Sequence, residues 1–227
     1  MNIPGPCGPC SEIFIDRGKK YGKDGGPIGG GEDRFIEIWN LVFMESIQDE
    51  PFQIVNELPD KNIDTGMGLE RISMILQNKE NLFDTDLFQP LYNELIKNTD
   101  NSDKKYEKII IDHIKSSTFM ISDGVVPTNE GRGYVLRRLI RRAIRAYNQL
   151  NNTSSSLDYL IEIVIDIYKD SYPELQSNKD KIIKLFKKEE KVFQQTLNKG
   201  IQELNSMIDT NKTVTSKDAF YLFETFG

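Results

Sequence analysis

Asp64-Thr65-Gly66-Met67-Gly68-Leu69-Glu70-Arg71 decides how the rest of the chain is read. It follows an apolar-and-polar run, Ile54 to Ile63, and opens a helical pattern. Leu69, Ile72 and Leu76, with Ile75 beside them, give one apolar face from about Gly68 to Asn78. Thr65 or Asp64 is the expected N-cap. Gly66 and Gly68 are expected where that helix begins. There the free backbone N–H groups and the positive dipole end favour an anion, and a missing side chain lets a bulky ligand approach the backbone. Arg71, about one turn in, adds a planar, permanently charged fork suited to phosphate. Asp64, ahead of the turn, is placed to hold a ligand's ammonium group.

At 227 residues the chain suits one or two domains with a real core. No apolar run is long enough to span a membrane, and the N-terminus shows no charged-then-apolar leader. A net charge of −6 excludes a generally basic nucleic-acid binder, so any RNA affinity must come from a local patch. Two cysteines and one histidine make no metal cluster or disulfide framework. The expectation is a soluble, cytoplasmic protein. Both ends read as cut: a dense motif begins a few positions after Met1, and Gly227 directly follows the apolar run Phe220 to Phe226. The expectation is an internal fragment.

Near the start, Cys7-Gly8-Pro9-Cys10 has the residues of a thioredoxin redox site. That chemistry needs a strand before it and a helix after it. Here six residues precede Cys7, and the alternating stretch Ser11 to Asp16 follows Cys10, so a rigid turn is the favoured role. Residues 18 to 31 carry seven glycines and one proline and read as a solvated loop, either a long hairpin connection or a functional lid. Phe35 to Glu45 reads as a covered central strand, apolar on both faces. Strict alternation puts Ile36, Ile38, Asn40, Val42 and Met44 on one face and Phe35, Glu37, Trp39, Leu41 and Phe43 on the other. Asn40, a polar amide in an apolar row, needs a partner, either a backbone group or a ligand. Glu37 and Trp39 read as packing or edge residues.

Asn81 to Ile96 reads as a turn and a short helix. The polar run Asn98 to Lys105 reads as a linker and sets the expected boundary between domains at 1–98 and 106–227. From Tyr106 the pattern is helical, with His113 read as a satisfied, partly buried residue. A glycine-punctuated loop, Ser122 to Gly133, precedes a helix whose stripe is Leu136, Leu139, Ile140, Ala143, Ile144 and Tyr147. Arg132, Arg137, Arg138, Arg141, Arg142 and Arg145 occupy its other faces with no acid among them. Such a run in an acidic chain favours a polyanion partner, and arginine favours fork-like phosphate contacts. Asn151 to Ser156 reads as a polar turn. Leu157, Leu160, Ile161, Val164 and Tyr168 mark a helix expected to end near Tyr172-Pro173, and Lys179 to Ile208 reads as a long bundle helix weakened at Gly200. Ser216 is expected to cap a last helix that Gly227 ends.

Several of these strings resemble one family. The octet Asp64 to Arg71 resembles motif 3 of the class II aminoacyl-tRNA synthetases, in the form found in alanyl-tRNA synthetases. Gly-Pro-Cys-Gly-Pro-Cys-Ser-Glu (5–12), Glu-Ile-Trp-Asn-x-Val-Phe-Met (37–44), the run from Asp123 to Ala143 and Leu-Phe-Glu-Thr-Phe-Gly (222–227) are similar to segments of the same family. The resemblance covers essentially the whole chain. It implies an α+β fold: the C-terminal part of a class II antiparallel-sheet catalytic domain, followed by an all-α helical tRNA-recognition domain. It implies alanine activation with ATP and Mg²⁺, then transfer to the 3′ end of tRNA(Ala). Asn40, Asp64 and Gly66 would bind alanine, with Gly66, Gly68 and Arg71 on ATP; Arg71 and Asp64 would be the catalytic pair. Asn129 and Glu224 would read a G·U wobble pair in the acceptor stem, with the six arginines on the phosphates. No membrane, DNA or bound metal is implied; the family's zinc belongs to an editing domain that matches nothing here. Family motifs 1 and 2, with the arginine that clamps the α-phosphate, and the pocket tryptophan ahead of Gly5 have no match either. The isolated chain is therefore expected to be inactive. A non-catalytic tRNA-binding module, and a thiol-disulfide oxidoreductase built on Cys7 and Cys10, are the other readings.

Overall fold

A computed structural model describes residues 4–31, 33–151, 156–211 and 213–226. Most of the polar turn expected at 151–156, and the helix stop expected at Gly227, lie outside them. The chain divides into two compact units, residues 1–86 and 87–227.

The first unit is built on an antiparallel sheet of strands β1 (Gly5–Cys7), β2 (Cys10–Asp16), β3 (Phe35–Glu50) and β4 (Gln53–Met67). β3 is its axis. β1 and β2 take successive stretches of one edge of β3, and β4 takes the other. β3 runs five residues past the expected Glu45 because it turns directly into β4, with Phe52 at positive φ (65°) in the turn. The register places Cys7 opposite Ser46 and Cys10 opposite Val42. At about 3.3 Å per extended residue the two cysteines lie about 10 Å apart, past the ~7 Å limit for a disulfide. That removes the oxidoreductase reading.

A short helix, α1 (Gly26–Gly29), sits in the glycine-rich loop, and α2 (Leu69–Leu76) follows β4. Two expectations for the motif need correction. Asp64 to Met67 lies in β4, not at a helix start, and the N-cap of α2 is Gly68, with no side-chain cap. α2 packs through Met74, 3% exposed, while Leu69 and Leu76 are 50% and 79% exposed. Periodicity named Leu69, Ile72, Ile75 and Leu76 and missed Met74, the buried residue of this helix.

The second unit is helical: α3 (Gln89–Lys97), α4 (Lys104–Ser122), α5 (Gly131–Leu150), α6 (Asp158–Tyr168), α7 (Pro173–Ser177), α8 (Lys179–Asn211) and α9 (Ser216–Phe226). Ile110, Ile111, Ile114 and Ile121 of α4 are fully buried with Leu136 and Ile140 of α5, Leu160 and Val164 of α6, and Phe186 of α8. Leu91 and Leu95 of α3 join that core, so the compact boundary falls at Asp86/Leu87 rather than in the polar run 98–105. That run is docked by its backbone: Tyr147 donates to the Asn98 carbonyl at 3.0 Å, and Asn101 N–H to the Leu150 carbonyl at 2.9 Å. Asp103 then caps α4 by accepting from Lys105 N–H. α9 packs on the later part of α8, where Phe226 lies 3.1 Å from the position a Gly200 Cβ would take. The glycine read as a weak point is a contact point.

Candidate functional site

Register assembles the site of the sheet unit. Asn40 pairs with Gly66 across one side of β3 and with Glu12 across the other, and Val42 pairs with Asp64. Cross-strand partners share a face, so Glu12, Asn40, Asp64 and Gly66 lie on one face of the sheet. Asn40 finds its partner there, donating from Nδ2 to Glu12 Oε1 at 3.1 Å.

Glu37 joins the same face, against the alternation read from sequence. Ile13 pairs with Trp39 but Phe14 pairs with Glu37, which leaves Ile38 as an extra residue in β3. Such a bulge shifts the alternation by one. Phe14 shares a face with Glu12, so its partner Glu37 faces the same way as Asn40. Arg71 of α2 reaches it: Nη1 donates to the Glu37 carbonyl at 2.8 Å and lies 3.6 Å from Oε2. Read as a packing residue, Glu37 is the residue that holds the motif's arginine. Half of the Arg71 side chain stays exposed, leaving donors for an anion. A cavity of about 900 Å³ opens here, lined among others by Glu12, Phe14, Glu37, Arg71 and Met74.

The glycines of the motif have no internal reason to be glycine. A Cβ at Gly66 would meet nothing within 4 Å, one at Gly68 would make only ordinary contact with Arg71, and neither residue takes positive φ. The space above Gly66 therefore adjoins the site rather than another part of the chain. Among the described residues no three His, Cys, Asp or Glu are grouped to hold a metal ion.

The arginine helix needs a second correction. Arg137 and Arg141 are opposed by Glu189 of α8, at 3.3 and 2.7 Å, and Arg141 lies 5.1 Å from the Phe193 ring. These two arginines bind α5 to α8. Arg132, Arg138, Arg142 and Arg145 are exposed and have no acid partner among the described residues. Arg138, Arg142 and Arg145 stand at i, i+4 and i+7, on one stripe with exposed Tyr134 and Val135. The preceding loop presses on the first turn of α5. A Cβ at Gly133 would sit 2.1 Å from Thr128 Oγ1 and 2.4 Å from the Val126 carbonyl, so only glycine allows the approach. That contact sets Asn129, whose Oδ1 accepts from Arg137 Nη1. Glu224 is exposed on α9, and no hydrogen bond or ion pair among the described residues joins it to Asn129. His113, expected to be satisfied, is buried with Nδ1 on Asp112, while its Nε2 has no hydrogen-bond partner among the described residues.

A family model described as tRNA synthetases class II (A) matches residues 1–227. Along its whole length the chain is 44% identical to proteins named alanine–tRNA ligase from Corynebacterium diphtheriae and Thermobifida fusca, and 43% identical to one from Mycobacterium marinum. It spans 27% of the length of each of these relatives.

Proposed function

The chain belongs to the class II (A) tRNA synthetases, and on that premise we propose that it supplies the alanine pocket, one ATP contact and a tRNA-binding face of an alanine–tRNA ligase. Such an enzyme joins the alanine carboxylate to the α-phosphate of ATP, releasing pyrophosphate. It then passes the alanyl group to the 3′ end of tRNA(Ala). The observation that carries this reading is the register that sets Asn40 and Asp64 side by side on one face, next to open space above Gly66. Asp64 holds the alanine ammonium and Asn40 the same small substrate. Arg71 holds the γ-phosphate, and Gly66 and Gly68 leave the backbone open to the nucleotide. Glu37 steadies Arg71 and offers one carboxylate to the magnesium ion that accompanies ATP. The helical unit, residues 106–227 of it in particular, contacts the acceptor stem through exposed Arg132 and the stripe Arg138, Arg142 and Arg145, with Asn129 and Glu224 at the G·U pair. The setting is cytoplasmic translation; no helix among the described residues is long and apolar enough to cross a membrane.

The test is a full-length relative carrying residues 1–227 in place of its own segment. Asp64→Asn is expected to weaken mainly alanine and Arg71→Ala mainly ATP, each by about 2–4 kcal/mol, the usual cost of removing a charge-assisted hydrogen bond. Unchanged kinetics for both substrates in both variants contradicts the assignment and favours a non-catalytic RNA-binding module carried by the arginine stripe. The 227 residues alone are expected to catalyse no alanine-dependent ATP–pyrophosphate exchange, because activation depends on several charged groups placed together and the α-phosphate arginine has no match in this sequence.

A further inference from the structure

The glycine-rich loop, residues 18–31, borders the Arg71 cavity. Gly18, Gly25, Gly26 and Gly31 take positive φ, at 90°, 142°, 66° and 85°, so its path depends on residues without side chains at its base, crest and exit. It is fastened at two points. Arg34, 5% exposed, donates through Nε and Nη2 to both carboxylate oxygens of Asp16, at 2.7 and 2.8 Å. Its Nη1 reaches into the loop, to Asp24 Oδ1 at 2.8 Å and the Gly22 carbonyl at 3.2 Å. On the other side the Glu80 carboxylate accepts from Lys20. The Glu80 carbonyl accepts from Arg17, whose guanidinium stacks 3.7 Å above the Tyr21 ring.

The two halves of the Arg34 cluster differ. Asp16 lies on β2, and its bidentate bond to Arg34 belongs to the sheet. Asp24 lies on the loop and is 69% exposed at its side chain. The bonds from Arg34 hold the Asp16 carboxyl down to about 2, so the anchored half stays ionised through the neutral range. Between the two fastenings Pro27 and Ile28 wall the cavity that also holds Arg71 and Glu37. Ile28 is fully exposed, at 102%. It is an apolar side chain at a cavity mouth that nothing among the described residues covers.

We propose that Arg34 and Asp24 form a latch that positions the 18–31 loop as the movable wall of the Arg71 cavity, and that Ile28 closes over a magnesium–nucleoside triphosphate held there. The proposal rests on the reading of Arg71 as a polyphosphate contact. Neither Arg34 nor Asp24 touches the nucleotide; both are positioning residues. The Asp24 bond makes and breaks as the wall moves, while Arg34 stays docked on Asp16.

The test uses a full-length relative carrying residues 1–227 in place of its own segment, with magnesium–ATP and, separately, inorganic pyrophosphate as probes. Hydrogen exchange is followed in residues 18–31, and affinity by calorimetry. ATP is expected to slow exchange in residues 18–31 about tenfold. Asp24→Asn is expected to lose most of that protection and bind ATP about three- to tenfold more weakly, the effect of removing one charge-assisted bond. Its melting temperature should stay that of the parent, because Asp16 still holds Arg34; a merely structural role would lower it. Asp24→Glu should restore part of the protection, and Ile28→Ala should weaken ATP more than pyrophosphate. Two outcomes sink the latch and leave the Arg71 reading standing: ATP binding lost in Arg71→Ala but no ATP-dependent protection of the loop, or Asp24→Asn binding like the parent. ATP binding alike in the parent and Arg71→Ala, or none in either, removes the Arg71 reading and the latch with it.

Discussion

The sheet unit and the helical unit place their functional side chains by different means. Among the described residues, the buried apolar side chains lie almost entirely in the helical unit; in residues 4–86 Met74 stands alone. The arginines of α5 are therefore displayed on a packed core. Asn40, Asp64 and Glu37 are placed by a hydrogen-bonded ladder, and β4 is exposed along nearly its whole length. Position on a helix depends on burial of the opposite stripe; position on a sheet depends on register. The first kind of site is lost when packing is lost, the second when pairing slips.

The widest separation between the two units is expected in core truncation. Phe186 is fully buried, and Phe186→Ala should cost about 3–5 kcal/mol. Ile63 of β4 is more than half exposed, and Ile63→Ala should stay within about 0.5 kcal/mol. Urea unfolding followed by circular dichroism measures both. Equal losses would mean that the sheet unit is held by packing after all.

Next in size is the charge that ties α5 to α8. Glu189 is nearly buried between Arg137 and Arg141. Glu189→Gln should cost about 2–3 kcal/mol, as for a hydrogen bond to a charged group. The polar pair of the sheet site, Asn40 with Glu12, is solvent-accessible, and Glu12→Gln should change stability by less than about 0.5 kcal/mol. A Glu189→Gln variant as stable as the parent would show that the pair only decorates a helix contact.

The same contrast explains which features are legible in the sequence. The apolar stripe of α5, the long α8 and the strand character of β3 are local patterns, and the structure has all three. The motif residues are legible by their types and spacing. What escapes is non-local. Nothing within β3 announces that Ile38 is an extra residue; the bulge exists only against the β2 register, and it alone brings Glu37 round to Arg71. Glu189 stands 48 residues from Arg141, so a run that reads as unopposed is opposed from another helix. The polar run 98–103 has a linker's composition, but its backbone bonds to Tyr147 and Leu150 dock it on the helical unit.

A third comparison asks whether Asn129 is a reader or a spacer. Its Oδ1 accepts from Arg137, which leaves one lone pair of that oxygen for a ligand. In a G·U pair the guanine 2-amino group lies in the shallow minor groove without a pairing partner, and A-form RNA exposes that groove. Asn129→Ala should reduce the preference for a G·U over a G·C stem duplex by about 1–3 kcal/mol, the size of a base contact. Glu224, on the far helix, should contribute less, because no contact fixes it beside Asn129. If the preference survives Asn129→Ala intact, the readout lies elsewhere and Asn129 only seats Arg137.

The smallest expected effect is also the one that divides the arginines most sharply. Arg142 is exposed and unpaired among the described residues, whereas Arg141, one position before it, is engaged by Glu189 and Phe193. A phosphate contact carries no base information. Arg142→Ala should therefore weaken G·U and G·C duplexes alike, by about 1 kcal/mol, and lower the slope of log K against log salt by about 1. Stability should be unchanged within about 0.5 kcal/mol. Arg141→Ala should do the reverse, losing helix docking while keeping the salt slope. Binding of the two duplexes between 50 and 200 mM salt, roughly the range over which counterion release is resolved, measures both variants. If Arg141→Ala lowers the slope as much as Arg142→Ala, then Glu189 gives up its arginine to the RNA. Arg141 would then join Arg132, Arg138, Arg142 and Arg145 on the phosphates.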